Sequence, residues 1–132
     1  MRRVFAGILV ILLLAALGCA NRNPVPADGT YRIDVTLSGG SGRASIESPA
    51  ELTVQNGSMT LKVVWSSDKY DYMLVGGEKL LPEIVDGHSV FTAPVETLDE
   101  TLWVVADTTA MSRPHEIEYG IAFDVSSLKS AS

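Results

Sequence analysis

The chain of 132 residues has the length of one ordinary domain. Its 16 acidic and 10 basic residues give a net charge of −6, and without a basic cluster the chain is not expected to bind nucleic acid through phosphate neutralisation. Its single cysteine excludes a disulfide framework and a cysteine-based zinc site.

The N-terminus has the pattern of an export signal. Arg2 and Arg3 precede residues 4–17, an uncharged apolar run of 14 residues that is too short to span a bilayer comfortably. We predict that residues 1–18 are a signal peptide and that cleavage precedes Cys19. The loss of two of the ten basic residues then changes the net charge from −6 to −8.

Residues 16–19 (ALGC) resemble the lipobox of bacterial lipoproteins, in which the cysteine is acylated and becomes the new N-terminus. The resemblance implies that Cys19 is lipidated and that the domain faces outward from the cell membrane. Several acyl chains on one residue hold a protein stably at a bilayer. Residues 19–28 then form the lipidated cysteine and a short extended tether. The other interpretation is a free cysteine at the end of a secretory signal.

Residues 29–126 show the pattern of an all-β domain. Apolar residues alternate at period two, turn residues interrupt them about every eight to twelve positions, and no helical period is sustained. This pattern predicts a sandwich or barrel of about eight antiparallel strands. The predicted strands are 30–37, 51–55, 59–66, 70–75, 78–84, 89–92, 102–106 and 115–125; residues 44–47 have a similar but shorter pattern, and 127–132 are a polar tail.

Side-chain positions follow from the same alternation. In the last predicted strand the odd-numbered residues from His115 to Val125 are the apolar set, so we expect them to face the core. Trp65 and Trp103 lie within strands and are expected to anchor the core. Residues 96–100 carry three carboxylates and are expected to form a solvated loop, and His88 follows Asp-Gly in a turn-like stretch.

No enzyme signature is present in the sequence. It contains no phosphate-binding glycine loop, no Gly-x-Ser-x-Gly elbow and no His-Glu-x-x-His. Neither of the two histidines is accompanied by a marked nucleophile. We therefore expect a protein that is not an enzyme.

The segment 107–119 (DTTAMSRPHEIEY) holds the candidate ligands. His115 and Tyr119 share a face of the last strand, about 13 Å apart along it, and Met111 precedes them in a loop. Imidazole, thioether and phenolate are axial ligands of haem iron. The alternatives are a turn histidine, a core tyrosine and an ordinary loop methionine.

Three segments resemble the NEAT (near-iron-transporter) domains. They are residues 28–31 (DGTY) at the start of an alternating strand, the Asn56-Gly57 hairpin leading into 59–67 (MTLKVVWSS), and 102–106 (LWVVA) followed by 111–124 (MSRPHEIEYGIAFD). The resemblance covers about residues 28–125. It implies an immunoglobulin-like β-sandwich, of a kind that often binds haem at the bacterial surface and passes it towards an importer.

The haem motif of that family is Tyr-x-x-x-Tyr on the last strand, where the first tyrosine ligates iron and the second hydrogen-bonds to the first. His115 and Tyr119 stand at the matching positions, so the resemblance implies ligation by a neutral imidazole nitrogen. The family's lip after the first strand is rich in Ser, Met and aromatic residues. The matching residues here, 38–44 (SGGSGRA), include no Met or aromatic residue.

Three functions therefore remain open. The leading one is a cell-surface lipoprotein that binds haem or another iron compound and relays it to an importer. The alternative is a non-catalytic interaction module of a surface or transporter complex, without a cofactor. A third is a copper-binding lipoprotein that uses the soft ligands of Met59, Met73 and Met111 together with His115.

Acylation of Cys19 is directly testable. Labelled palmitate should enter the wild-type chain in a bacterial host and should not enter Cys19→Ala, because only the cysteine carries the acyl chains. In-gel detection of the label after membrane extraction measures this. Equal labelling of the two chains would contradict the assignment.

Overall fold

The computed structural model describes residues 25–110 and 115–131, which form nine β-strands and no helix. The strands are β1 Gly29–Gly39, β2 Ala50–Gln55, β3 Ser58–Val64, β4 Tyr70–Val75, β5 Glu78–Leu80, β6 Glu83–Val85, β7 His88–Val95, β8 Leu102–Thr108 and β9 His115–Ser130. Every strand lies after residue 28, so residues 20–132 contain the whole sheet. Within the described ranges there is no helix with the length and apolar character needed to cross a bilayer.

All nine strands belong to one antiparallel sheet in the order β5-β4-β8-β9-β1-β2-β3-β7-β6. The sheet curls so that β4, near one end of this order, contacts β7, near the other. The two facing layers are therefore halves of one continuous sheet. The prediction of an all-β, antiparallel, sandwich-like domain is confirmed.

Ser89 connects the ends of the curled sheet through its backbone and its side chain. Ser89 at the start of β7 donates its backbone N–H to the carbonyl of Ser67 at 2.8 Å. Its hydroxyl oxygen accepts the backbone N–H of Tyr70, the first residue of β4, at 3.2 Å. Ser89 is fully buried, so these bonds satisfy polar groups that burial would otherwise leave unpaired.

The concave face of the sheet carries the core. Its members alternate with more exposed residues most clearly along β2, β3 and β7, as a sheet with one buried face requires. The fully buried large side chains are Ile33, Leu52, Leu61, Val63, Trp65, Met73, Phe91, Val104, Tyr119 and Ile121.

Trp65 occupies the centre of this core. Its indole stacks on Tyr70 with ring centroids 4.2 Å apart, and it meets Tyr119 at 5.1 Å in a tilted arrangement. Its Nε1–H donates to the sulfur of Met73 at 3.4 Å. Aromatic pairs at these separations stabilise a core beyond their buried area. Trp65 is thus the core anchor that the sequence predicts.

Three hairpin turns fix the register of adjacent strands. Asn56 and Gly57 have φ values of 54° and 79°, as a two-residue type I′ turn requires. The turn at Gly76-Gly77 also has two positive φ values, and so does Asp86-Gly87. The carboxylate of Asp28 accepts the backbone N–H of Asn56 at 3.0 Å, so the end of the predicted tether is fixed to the first of these turns.

The structure changes several predicted strand limits. Residues 78–84 form two short strands, β5 and β6, on either side of Leu81-Pro82, because proline has no N–H to donate to a ladder. The segment 44–47 is reduced to one bridge between Ile46 and Trp65. The predicted polar tail is instead the end of β9, which pairs as far as Ser130 opposite Tyr31.

The prediction that the odd-numbered side chains of β9 face the core is correct in the middle of the strand and wrong at its ends. Tyr119 and Ile121 are buried, and Ile117 and Phe123 are half-buried. The side chains of His115 and Val125 are exposed. Trp103 is also exposed, at 60%, and is not a core anchor. Its neighbours Leu102 and Val104 take the inward positions of β8.

Replacement of the central indole should destabilise the domain strongly. We expect Trp65→Ala to lower the free energy of unfolding by about 3–5 kcal/mol, since a large cavity replaces the ring. Urea unfolding followed by circular dichroism measures this. The matched control is Trp103→Ala at the exposed tryptophan, which should change stability by about 0.5 kcal/mol or less. Equal losses for the two variants would contradict the placement of the rings.

Candidate functional site

His115 lies at one end of the sheet, as the first residue of β9. Its backbone pairs with Thr108, the last residue of β8. Nearby, the carbonyl of Lys69 accepts both the backbone N–H of Thr109 at 2.7 Å and its hydroxyl at 3.2 Å. These bonds fix the strand end, while the imidazole itself is exposed. The imidazole nitrogens of His115 are therefore accessible to a molecule at the surface.

Tyr119 lies deep in the core. It is 2% exposed, and its ring contacts Trp65. Gly40, with φ of 65°, lies against the ring edge, where an added Cβ would be 2.9 Å from Cε1 of Tyr119. The chain between β1 and β2 thus covers Tyr119, and only glycine permits so close an approach in this backbone conformation.

Burial and a hydrogen bond with Tyr119 raise the pKa of Tyr70 well above its usual value. Tyr70 thus remains a neutral phenol at ordinary pH. The two tyrosines form a buried pair beneath Trp65, and this pair is separated from the exposed imidazole of His115 by Ile117 on the same strand. The structure therefore brings Tyr119 to Tyr70, and not to His115.

Two predicted site residues, Met111 and Cys19, lie outside the described residues. Of the other members of the copper hypothesis, Met59 is 6% exposed in β3 and Met73 is fully buried in β4. Met73 already accepts the indole N–H of Trp65. Their thioethers are enclosed in the core, while His115 is exposed at the end of the sheet.

The convex face beside His115 carries a row of polar side chains. The strand registers place Tyr72 of β4 opposite Asp107 of β8, and Asp107 opposite Glu116 of β9. The hydroxyl of Tyr72 donates to Oε2 of Glu116. A hydrogen bond with Asp71, and after it burial, raises the pKa of Asp107. Sequence reasoning missed this row, because only the register of three strands aligns its members.

Lys79 completes the convex surface next to the row. Its ammonium lies 4.3 Å from the centre of the Tyr72 ring, a cation–π contact. Its position follows from the β4–β5 hairpin, which pairs Leu74 with Lys79. Among the described residues, no group of three or more His, Cys, Asp or Glu side chains is arranged to hold a metal ion.

The second histidine, His88, is partly buried at the start of β7. Its Nδ1 lies 2.7 Å from the carbonyl oxygen of Trp65. Since a carbonyl only accepts, Nδ1 carries the hydrogen of this bond. The sequence predicts a surface turn residue here. The structure gives His88 a role in tying β7 to the end of β3.

Comparison with models of known protein families finds no family that matches this chain, and comparison with curated proteins finds no relative. The resemblance to NEAT domains therefore remains a prediction. The geometry of the described residues is the basis for the functional argument that follows.

The bond between Tyr72 and Glu116 should be visible in the titration of tyrosine. The hydrogen bond that the Tyr72 hydroxyl donates to Glu116, followed by burial and nearby carboxylates, raises the pKa of Tyr72 from 10.0 to about 12. The contribution of this bond to stability is present below pH 10 and is lost between about pH 10 and 12. Absorbance at 295 nm, as wild type minus Tyr72→Phe, isolates this ionisation.

In Glu116→Gln the pKa of Tyr72 should fall towards 10, because the negative acceptor is gone. Glu118→Gln is the matched control, since it removes the next carboxylate on β9 and should leave the titration of Tyr72 unchanged. A Tyr72 ionisation near pH 10 in the wild type would contradict the hydrogen bond.

Proposed function

We propose that this chain is a non-catalytic cell-surface lipoprotein that binds haem or another iron compound through His115 and relays it to an importer. The observation that carries the proposal is an exposed imidazole at the open end of a rigid sheet. Neutral imidazole is a common axial ligand of haem iron. When bound, haem would supply an iron centre with an open axial position for this nitrogen.

The surroundings of His115 support an iron compound. Glu116, which is exposed on the adjoining convex face, carries a carboxylate that complements a cationic metal. Lys69, whose side chain is about half exposed, lies at the same end of the sheet through its bonds to Thr109. Its ammonium pairs with Asp68 at 3.7 Å, and the propionates of a porphyrin would compete with that exposed carboxylate for it.

The burial of Tyr119 gives it a supporting role in this proposal. Its phenol belongs to the core with Tyr70 and Trp65, so it stabilises the strand that presents His115. Iron ligation by this domain then depends on one protein nitrogen at the surface. A single exposed ligand suits a relay, because a receiving protein can approach the other face of the porphyrin.

A second candidate is the interaction module, and a specific observation favours it. Leu81, Ile84 and Val85 are 73%, 56% and 46% exposed at the end of the sheet formed by β6. An edge strand with exposed apolar side chains is a common place for a partner strand to add. This edge serves either function, since a relay also needs a contact with its importer.

Haemin titration tests the proposal. Residues 20–132 should give a sharp Soret band that saturates at one equivalent. His115→Ala should weaken binding at least tenfold, about 1.4 kcal/mol or more, because the axial nitrogen is lost. Its circular dichroism spectrum should be unchanged, since the side chain is exposed. His88→Ala is the matched control and should retain the wild-type affinity.

A further result follows from ligation by the imidazole of His115. Tyr119→Phe should have a smaller effect than His115→Ala, because it removes one buried hydroxyl and keeps the ring. Unchanged affinity in His115→Ala would reject the ligand assignment. No saturable Soret band in the wild type would reject haem and leave the interaction module.

A further inference from the structure

Trp103 is the most exposed aromatic side chain that the structure describes, with 60% of its surface open to solvent. It lies on the convex face of β8, opposite Gly120 of β9. A Cβ added to Gly120 would be 2.9 Å from Cζ3 of the indole. The ring therefore covers the backbone of Gly120, and this contact holds the indole against the sheet.

The indole forms one wall of a cavity of about 440 Å³. Pro94 and Leu102 supply further apolar surface, and the carboxylates of Glu78, Glu96 and Glu100 line the same cavity. Among the described residues that line it there is no lysine or arginine. The cavity thus combines an exposed aromatic ring with three negative charges and no built-in cation.

The basic residue of the neighbouring hairpin is engaged elsewhere. Lys79 follows Glu78 in β5, and its ammonium lies over the ring of Tyr72. The three glutamates consequently have no lysine or arginine beside them in the lining to balance their charge. A cation from outside the chain would be attracted both by these carboxylates and by the face of Trp103.

We propose that this cavity is a binding site for an alkylammonium cation of the choline type. A quaternary ammonium spreads its charge over methyl groups, so it can contact an indole face and an apolar wall while carboxylates balance the charge. Anionic ligands are disfavoured by the three glutamates. A purely apolar ligand would make no use of them.

The proposed site is distinct from the one at His115. His115 pairs with Thr108 at the last residue of β8, whereas Trp103 is near the first. His115 and Gly120 are five positions apart on β9, about 17 Å along an extended strand. The proposed cation site can therefore be tested independently of the iron proposal.

The tryptophans provide a direct assay. Trp65 is fully buried, so a solvent-sensitive change in indole fluorescence reports on Trp103. Residues 20–132 are titrated with choline chloride, with sodium chloride at equal ionic strength as the blank. We expect a saturable change with choline alone. The neutral isostere 3,3-dimethyl-1-butanol should bind at least fivefold more weakly, because it lacks the charge.

Variants assign the site, with binding measured by calorimetry so that loss of the indole does not remove the signal. Trp103→Leu should abolish binding, and Trp103→Phe should retain part of it. Glu96→Gln and Glu100→Gln should each weaken binding about threefold or more. Glu83→Gln is the matched control, since it makes the same change on β6 outside this cavity and should leave the affinity unchanged.

Phosphatidylcholine vesicles distinguish a lipid headgroup from a free ligand. Binding of either choline or the vesicles that depends on Trp103 supports the site, and the stronger of the two identifies the source. Failure of both to bind would overturn the proposal. Equal binding of choline and its neutral isostere, or unchanged binding in Trp103→Leu, would overturn it as well.

Discussion

The structure depends on closing one apolar face of a single sheet. Nine strands in one ladder have no second sheet to pack against, so the sheet buries that face only by curling until β4 meets β7. Trp65 fills the centre of the enclosed space, and Ser89 joins the two ends through hydrogen bonds to the backbone of residues 67 and 70. The aromatic cluster around Trp65 and the hydrogen bonds of Ser89 therefore act together to close the sheet.

This closure decides which side chains are available for binding. Tyr119 and Met73 carry groups that bind metals in other proteins, yet both contact Trp65 in the core. The two proposed ligand sites lie at opposite ends of β8 and β9. One end presents the imidazole of His115, and the other presents the indole of Trp103.

Alternation in the sequence predicts the inner faces of β1 and the middle of β9, because apolar and polar residues there differ clearly. It does not predict the exposure of Trp103. Both faces of β8 carry apolar residues, so the sequence alone cannot show which face turns inward. The exposure of His115 was also missed, since alternation defines a side of the strand and not where the enclosed space ends. The row of Tyr72, Asp107 and Glu116 depends on register across three strands, which no local pattern reveals.

We propose that the core residues of β9 hold the fold while the ends of β8 and β9 bind ligands. The most direct test is a site-resolved ¹H–¹⁵N spectrum of residues 20–132, titrated separately with haemin and choline. We expect haemin to affect amides around Thr108 and His115, choline to affect those around Trp103 and Gly120, and neither to affect Leu61 or Phe91. Both ligands acting on the same amides, or changes spread through the core, would contradict the account.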